Sequence, residues 1–66
     1  DIRRHVGKNL SKIRKDRGLT QEELAFDCEL DRTYISGIER GIRNPTVLII
    51  QKIASALKVA PYKLLE

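Results

Sequence analysis

The chain has 66 residues, enough for one small domain over residues 1–66 with a single core. Its one cysteine excludes an internal disulfide and a cysteine-rich zinc site. No apolar run approaches the roughly 18 residues of a membrane span, and no signal-peptide pattern opens the chain. We therefore expect a cytoplasmic protein with no membrane partner. Because the chain contains no methionine, we also expect that it was trimmed, with further protein at either end.

The charged side chains are segregated along the chain. Residues 1–17 carry seven basic and two acidic groups, a net charge of +5, whereas residues 18–31 carry five acidic groups and no basic group. Residues 32–43 return to a net charge of +2. A surface that serves solubility alone mixes the two signs. Positive charge on the first helix and on residues 32–43 is the pattern expected of a face that meets phosphates.

The first predicted helix is amphipathic, with Asp1 as its N-cap and Gly18 at its C-terminal end. Its apolar stripe consists of Ile2, Val6, Leu10 and Ile13. Arg14 lies beside this stripe. His5, which stands among basic neighbours, is expected to be exposed and to have no special role.

Two short helices follow, over residues 21–28 and 32–39. Thr20 and Glu23 have the spacing of a capping box, and Asp31 is a suitable N-cap for the second of them. The first of the two has an inward face of Leu24, Ala25 and Cys28, with the cysteine as a small buried hydrophobe.

The second short helix has an apolar and a polar side. Ile35 and Ile38 turn inward, and the residues left facing outward are Arg32, Thr33, Ser36 and Gly37. A short, polar, partly basic helix held across another short helix fits the major groove of DNA.

Two further helices complete the chain, and no strand is predicted. Thr46 caps a helix over 47–57 whose inward arc consists of Val47, Ile50, Ile53, Ala54 and Leu57. Pro61 begins a last short helix that contains Tyr62, Leu64 and Leu65. The sequence therefore predicts a compact all-α protein of five helices.

Many spaced residues resemble those of the phage-repressor (Xre-type) helix-turn-helix regulators. They are Gln21, Leu24, Ala25, Leu30, Ile35, Ile38, Glu39, Gly41 and Pro45, and the likeness runs from about Val6 to Leu65. The run Asp31–Arg40, with Arg43 and Asn44 after it, looks closest to the controller proteins of restriction–modification systems. The resemblance implies a lambda-repressor-like domain with its helix-turn-helix at the second and third helices. It also implies a nucleoid-associated regulator, bacterial or phage, that binds a roughly palindromic operator as a homodimer.

The candidate DNA contacts fall into two groups. Arg32, Thr33 and Ser36 are expected to read bases, since an arginine can bridge guanine O6 and N7. Tyr34 is a further base-reading candidate, with two roles open: packing against the scaffold, or reaching the sugar-phosphate backbone or a thymine methyl. Phosphate contacts are expected from Gln21, Arg43, Asn44, Lys8 and Lys12.

Two positions depart from the pattern of the resembling family, and one pair is structural. Glu29 stands where the family has a glycine with positive φ, at a cost of about 1 kcal/mol. Gly37 stands where several phage repressors have a long base-reading side chain, so close approach of backbone to DNA is the alternative there. Arg14 and Glu39 occupy the positions of a buried ion pair in the resembling proteins.

Apolar residues also suggest a subunit contact. If the arc of the fourth helix faces inward, Leu48 projects from its opposite side and Ile49 lies on its flank. The expected two-fold dimer interface consists of Leu48, Ile49, Tyr62, Leu64 and Leu65.

Several other functions are excluded or remain as alternatives. Asp27, Glu29 and Asp31 begin like a calcium loop, but Arg32 and Ile38 stand where its glycine and last ligand belong. One histidine and one cysteine supply few parts for nucleophilic catalysis, so we expect no enzyme, no cofactor, no metal and no small-molecule ligand. The alternative to a DNA-binding regulator is a helical protein-interaction module, antitoxin-like or an adaptor.

Overall fold

The computed structural model describes residues 1–66 as four α-helices followed by a short 3₁₀ helix. The α-helices are α1 (Ile2–Asp16), α2 (Gln21–Cys28), α3 (Arg32–Glu39) and α4 (Val47–Leu57), and the 3₁₀ helix spans Pro61–Leu64. The all-α class and the position of the helix-turn-helix at α2 and α3 are confirmed. The predicted fifth α-helix is instead a single 3₁₀ turn. None of the helices combines the length and the apolar character needed to cross a membrane.

Side-chain caps set the start of α2, α3 and α4. The backbone N–H of Glu23 donates to Thr20 Oγ1 at 3.0 Å, and the Thr20 N–H donates to Glu23 Oε1 at 2.9 Å, which completes the predicted capping box. Asp31 and Thr46 accept from backbone N–H groups in the same manner. These local sequence signals therefore mark the helix starts correctly.

The core lies where the four helices and the 3₁₀ turn meet. Its most buried members, at 0% exposure, are Leu24, Ile35 and Ile38. The rest of the cluster consists of Val6, Leu10, Ala25, Cys28, Ile53, Ala54, Leu57 and Leu64. Burial, followed by the charge of Asp27, raises the pKa of the Cys28 thiol above its ordinary value. The cysteine thus packs as a buried side chain, as its position on the inward face of α2 indicates.

Helix α1 crosses α3 at very short range because residue 7 is a glycine. A β-carbon built on Gly7 would lie 2.7 Å from the carbonyl oxygen of Glu39 and would also meet the carbonyl oxygen of Ile38. The backbone of α1 therefore packs directly on the last turn of α3, which holds the recognition helix against the body of the domain.

Two predicted orientations are wrong. Val47 is 74% exposed, because it is the first residue of α4 and only the later part of this helix reaches the core. Leu64 is 1% exposed and belongs to the core, so it is not available to a subunit interface. In a 3₁₀ helix, residues i and i+3 share a side. Tyr62 and Leu65 therefore lie together on the outer side, while Leu64 packs inward.

The turn between α2 and α3 has the geometry that the departure from glycine predicts. Glu29 ends α2 in the left-handed region, at φ 58° and ψ 39°. Its N–H donates to the carbonyl of Phe26, and the next N–H, of Leu30, donates to that of Ala25. The helix-turn-helix accommodates a side chain here at the conformational cost of a non-glycine residue.

Candidate nucleic-acid interface

Helix α3 exposes its first turn while its apolar side anchors it in the core. Ile35 and Ile38 are fully buried, whereas Arg32 and Thr33 are exposed and Ser36 is half-buried. Three of the proposed base-reading side chains thus lie on the accessible side of one short helix. An accessible helix of this kind can enter a major groove without unfolding any of its contacts with the core.

Thr33 and the cap residue form a local hydrogen-bonded unit. The Thr33 N–H and hydroxyl donate to Asp31 Oδ1 at 2.9 Å and 2.8 Å. These two hydrogen bonds, the backbone one first, lower the pKa of the Asp31 carboxyl. The hydroxyl hydrogen of Thr33 is thereby used within the protein. Its methyl group and an oxygen lone pair are what it has left for a base.

A buried ion pair joins α1 to the end of α3. Arg14 Nε donates to Glu39 Oε2 at 2.6 Å, and Arg14 Nη2 donates to Glu39 Oε1 at 3.1 Å. Arg14 Nη1 also donates to the carbonyl of Leu19 at 2.6 Å. The hydrogen bond from Glu39 raises the pKa of Arg14. Burial raises the pKa of Glu39, but hydrogen bonds from Arg14 and Gln21 outweigh it, so the pKa lies below its ordinary value.

Gln21 lies beside this ion pair and does not project freely into solvent. Its Nε2 donates to Glu39 Oε1 at 2.9 Å, and its Oε1 accepts from Arg32 Nη1 at 3.3 Å. The sequence gives no sign of this arrangement, because residues 21, 32 and 39 lie on two different helices. Only the spatial crossing of α2 and α3 brings them together.

Arg43 covers the part of α3 where Gly37 lies, which corrects the prediction for that glycine. The N–H groups of Ile42 and Arg43 both donate to the Gly37 carbonyl, at 2.9 Å and 3.2 Å. The Arg43 side chain then passes over Gly37, where an added β-carbon would meet Arg43 Cγ at 2.6 Å. Gly37 is buried and offers no open backbone to DNA.

The same arginine side chain reaches Tyr34. The guanidinium carbon of Arg43 lies 5.8 Å from the centre of the half-buried Tyr34 ring, within cation–π range. Of the two open roles of Tyr34, the packing one is thus partly present: its ring lies against this loop arginine. The loop after α3 is therefore attached to the recognition helix.

The remaining candidate phosphate contacts are all exposed. Lys8 and Lys12 are four residues apart on α1 and so share a face of that helix, and Asn44 lies in the loop before α4. Neither lysine forms an ion pair within the chain, and neither do Arg32 and Arg43. Their charges are therefore not neutralised by carboxylates of the domain.

A model of the helix-turn-helix family matches residues 10–64. The chain belongs to the helix-turn-helix family. It is 48% identical over 67 residues to the control protein C.BamHI from Bacillus amyloliquefaciens, a match that covers 100% of this chain and 83% of that protein. The predicted likeness to helix-turn-helix regulators, and to restriction–modification controllers among them, is confirmed. Such proteins are DNA-binding regulators and not enzymes.

Solved structures of helix-turn-helix controllers share the fold. The restriction-modification controller C.AhdI from Aeromonas hydrophila superposes with a TM-score of 0.92 at 44% identity, with 94% of each chain covered. The controller C.Esp1396I, as a tetramer in complex with its natural 35 base-pair operator, superposes with a TM-score of 0.87 at 43% identity. That match covers 96% of this chain and 83% of the controller.

The residues expected at a helix-turn-helix dimer interface are only partly on the surface. Leu48 is 73% exposed, Tyr62 and Leu65 are exposed, and Ile49 is half-buried against the core. With Leu64 inside, the accessible apolar set consists of Val47, Leu48, Tyr62 and Leu65. Phe26, which is 83% exposed on α2, was not singled out from the sequence. Its signal was its position outside the face formed by Leu24, Ala25 and Cys28.

His5 was expected to have no role, and it is exposed. Its Nε2 nevertheless contacts the carbonyl oxygen of Glu66 at the other end of the chain. Asn9, also on α1, donates from Nδ2 to the carbonyl of Leu64 at 3.0 Å. Helix α1 therefore holds the C-terminal segment as well as the recognition helix.

Proposed function

We propose that this protein is a sequence-specific regulator of transcription that inserts α3 into the major groove of double-stranded DNA. One observation carries the proposal: Ile35 and Ile38 fix α3 in the core while Arg32 and Thr33 stay exposed at its start. Arg32 is the principal base reader, Thr33 and Ser36 contact neighbouring base edges, and Tyr34 contacts a thymine methyl or the adjoining sugar.

Phosphate contacts on both sides of α3 would set the register on the duplex. Lys8 and Lys12 lie on α1, and Arg43 and Asn44 lie in the loop after α3. Gln21 adds a free backbone N–H at the start of α2, because the capping box occupies only the N–H groups of Thr20 and Glu23. Such contacts raise the affinity for any duplex and carry no sequence information.

The functional unit in this proposal is a homodimer. The exposed side chains of Leu48, Tyr62 and Leu65, flanked by Ile49, would pack against the same residues of a second copy. Two recognition helices would then face successive major grooves, and the operator would be roughly palindromic with half-sites about one helical turn apart. Occupancy of the operator would block polymerase or, beside a promoter, recruit it.

The relatives favour a particular setting for this regulation. C.BamHI is a control protein, and C.Esp1396I was crystallised as a tetramer on its operator. We infer that the present chain controls a restriction–modification system in the cytoplasm in the same manner. A methyltransferase gene and an endonuclease gene beside its own gene would support this inference, and their absence would count against it.

Selection from random duplexes tests the proposed function. Repeated binding and amplification should enrich one roughly palindromic sequence. Affinity for it should fall steeply with salt, with a log–log slope of about −0.9 for each phosphate neutralised. Lys12→Gln should flatten this slope by about 0.9 per lysine removed from the complex. A chain that enriches no sequence would instead be a protein-interaction module on the same fold.

A further inference from the structure

The side chain of Gln21 connects the buried ion pair to the exposed base reader. Its Nε2 donates to Glu39 Oε1 at 2.9 Å, and its Oε1 accepts from Arg32 Nη1 at 3.3 Å. Glu39 is itself held by two hydrogen bonds from Arg14. A continuous polar chain thus runs from α1 through the end of α3 and the start of α2 to the first residue of α3.

The chemistry of the two neighbours permits only one orientation of the Gln21 amide. A carboxylate can only accept hydrogen bonds and a guanidinium can only donate them. The NH₂ group must therefore face Glu39 and the oxygen must face Arg32. A flipped amide would place its oxygen against the carboxylate and its NH₂ group against the guanidinium, and both contacts would become repulsive.

This orientation matters because Arg32 is long and exposed. A free arginine side chain samples many rotamers and loses that freedom when it docks on a base, whereas a side chain held beforehand loses less. The contact with Gln21 uses a hydrogen of Nη1. The Nε and Nη2 hydrogens stay available for the two-bond contact with guanine O6 and N7.

We propose that Gln21 is a positioning residue that holds Arg32 for base reading, a role that rests on the proposed function. Its amide transmits the fixed position of the Glu39 carboxylate to the guanidinium. This role differs from a phosphate contact by the Gln21 side chain, which would strengthen binding to every sequence alike. The free backbone N–H of Gln21 can meet a phosphate in either case.

A double-mutant cycle tests the proposal on the selected operator and on a scrambled duplex of the same length and composition. The variants are Gln21→Met, which keeps the length of the side chain and removes both amide atoms, Arg32→Ala and the double variant. Gln21→Met should weaken operator binding about 5- to 10-fold, part of the range for one arginine–guanine contact. Scrambled-duplex binding should stay within about twofold.

The second leg of the cycle isolates the action through Arg32. In the Arg32→Ala background, Gln21→Met should change operator affinity by less than about twofold, because the side chain that it positions is gone. Thermal unfolding of each variant verifies that it is folded at the binding temperature. Gln21→Ala serves as a second variant and should give the same pattern.

Three results would overturn the proposal, each in a different way. Equal losses on operator and scrambled duplex would make the Gln21 side chain a phosphate contact. Losses that multiply in the double variant would mean that Gln21 acts independently of Arg32. If Arg32→Ala itself leaves the preference for the operator intact, base reading by Arg32 fails, and that failure is visible without reference to Gln21.

Discussion

Glu39 is the residue on which three helices converge. From α3 it accepts hydrogen bonds from Arg14 of α1 and Gln21 of α2. Both ion-pair side chains are almost inaccessible, with 9% exposure for Arg14 and 7% for Glu39. Removing the carboxylate would leave a buried guanidinium without its counter-charge, which is far more costly than losing a surface pair.

Glu39→Gln should therefore destabilise the domain, and the cost should depend on pH. At about pH 7 we expect a loss of about 3 kcal/mol in the free energy of unfolding. The folded-state pKa of Glu39 is lowered, so its contribution is present above the unfolded pKa of about 4.3 and is lost as the pH falls through the folded value. Urea unfolding of both proteins should show the gap closing toward about pH 2.

The control for this pH series is Glu22→Gln, which removes an exposed carboxylate from α2. It should change the free energy of unfolding by less than about 0.5 kcal/mol at neutral pH. A Glu39→Gln gap that stays constant from neutral to acid pH would show that the carboxylate charge does not stabilise the fold.

At the scale of the helices, the crossing of α1 and α3 depends on the missing side chain at residue 7. In an exposed helix, Gly→Ala gains about 0.8–1 kcal/mol of helix propensity. Here the added methyl group would meet backbone carbonyls of Ile38 and Glu39, which cannot move aside as a flexible side chain can. Gly7→Ala should therefore destabilise the domain, by about 1–3 kcal/mol. Thermal unfolding measures the sign directly.

Gly18→Ala provides the comparison for this effect. An added β-carbon at residue 18 meets nothing within 4 Å, but the backbone has φ +72°. The expected loss is about 1 kcal/mol from the left-handed conformation alone. A rise in melting temperature for Gly7→Ala would contradict the tight crossing, because it would mean that helix propensity dominates.

The helices follow from local sequence signals, whereas the loops and ends do not. The capping box at Thr20 and the inward pair in α3 depend on residues a few positions apart, so the sequence predicts them. Gly37 was placed wrongly because the return of Arg43 over it depends on the path of a loop, which helical periodicity does not describe. Val47 and Leu64 were placed wrongly because they lie where elements begin or end.

The candidate site divides in the same way. The outward positions of Arg32 and Thr33 follow from the inward positions of their apolar neighbours. The hydrogen bonds of Gln21 could not be predicted, because they join residues from α2 and α3 whose meeting depends on how the two helices cross. Sequence periodicity gives the faces of helices, and packing decides which faces meet.

At the scale of the whole molecule, the exposed apolar residues of α4 and the C-terminal segment are the proposed subunit contact. Leu48→Glu would place a charge in the middle of that contact and should shift sedimentation from dimer to monomer. The monomer should also bind the operator more weakly, because one recognition helix contacts one half-site.

Phe26→Glu is the matched control for this prediction. It replaces an equally exposed apolar side chain, on α2 and outside the proposed contact. The control variant should sediment like the unmodified protein. If Leu48→Glu also leaves the sedimenting mass unchanged, the interface lies elsewhere or the chain is monomeric.

The central claim is that the first turn of α3 reads bases, and Arg32→Ala tests it most directly. The measurement compares dissociation constants for the selected operator and a scrambled duplex, with Lys12→Ala as the phosphate-contact comparison. Arg32→Ala should weaken operator binding by at least about 10-fold and scrambled-duplex binding by less than about threefold. Lys12→Ala should weaken both to a similar extent. Equal losses for Arg32→Ala on the two duplexes would contradict the claim.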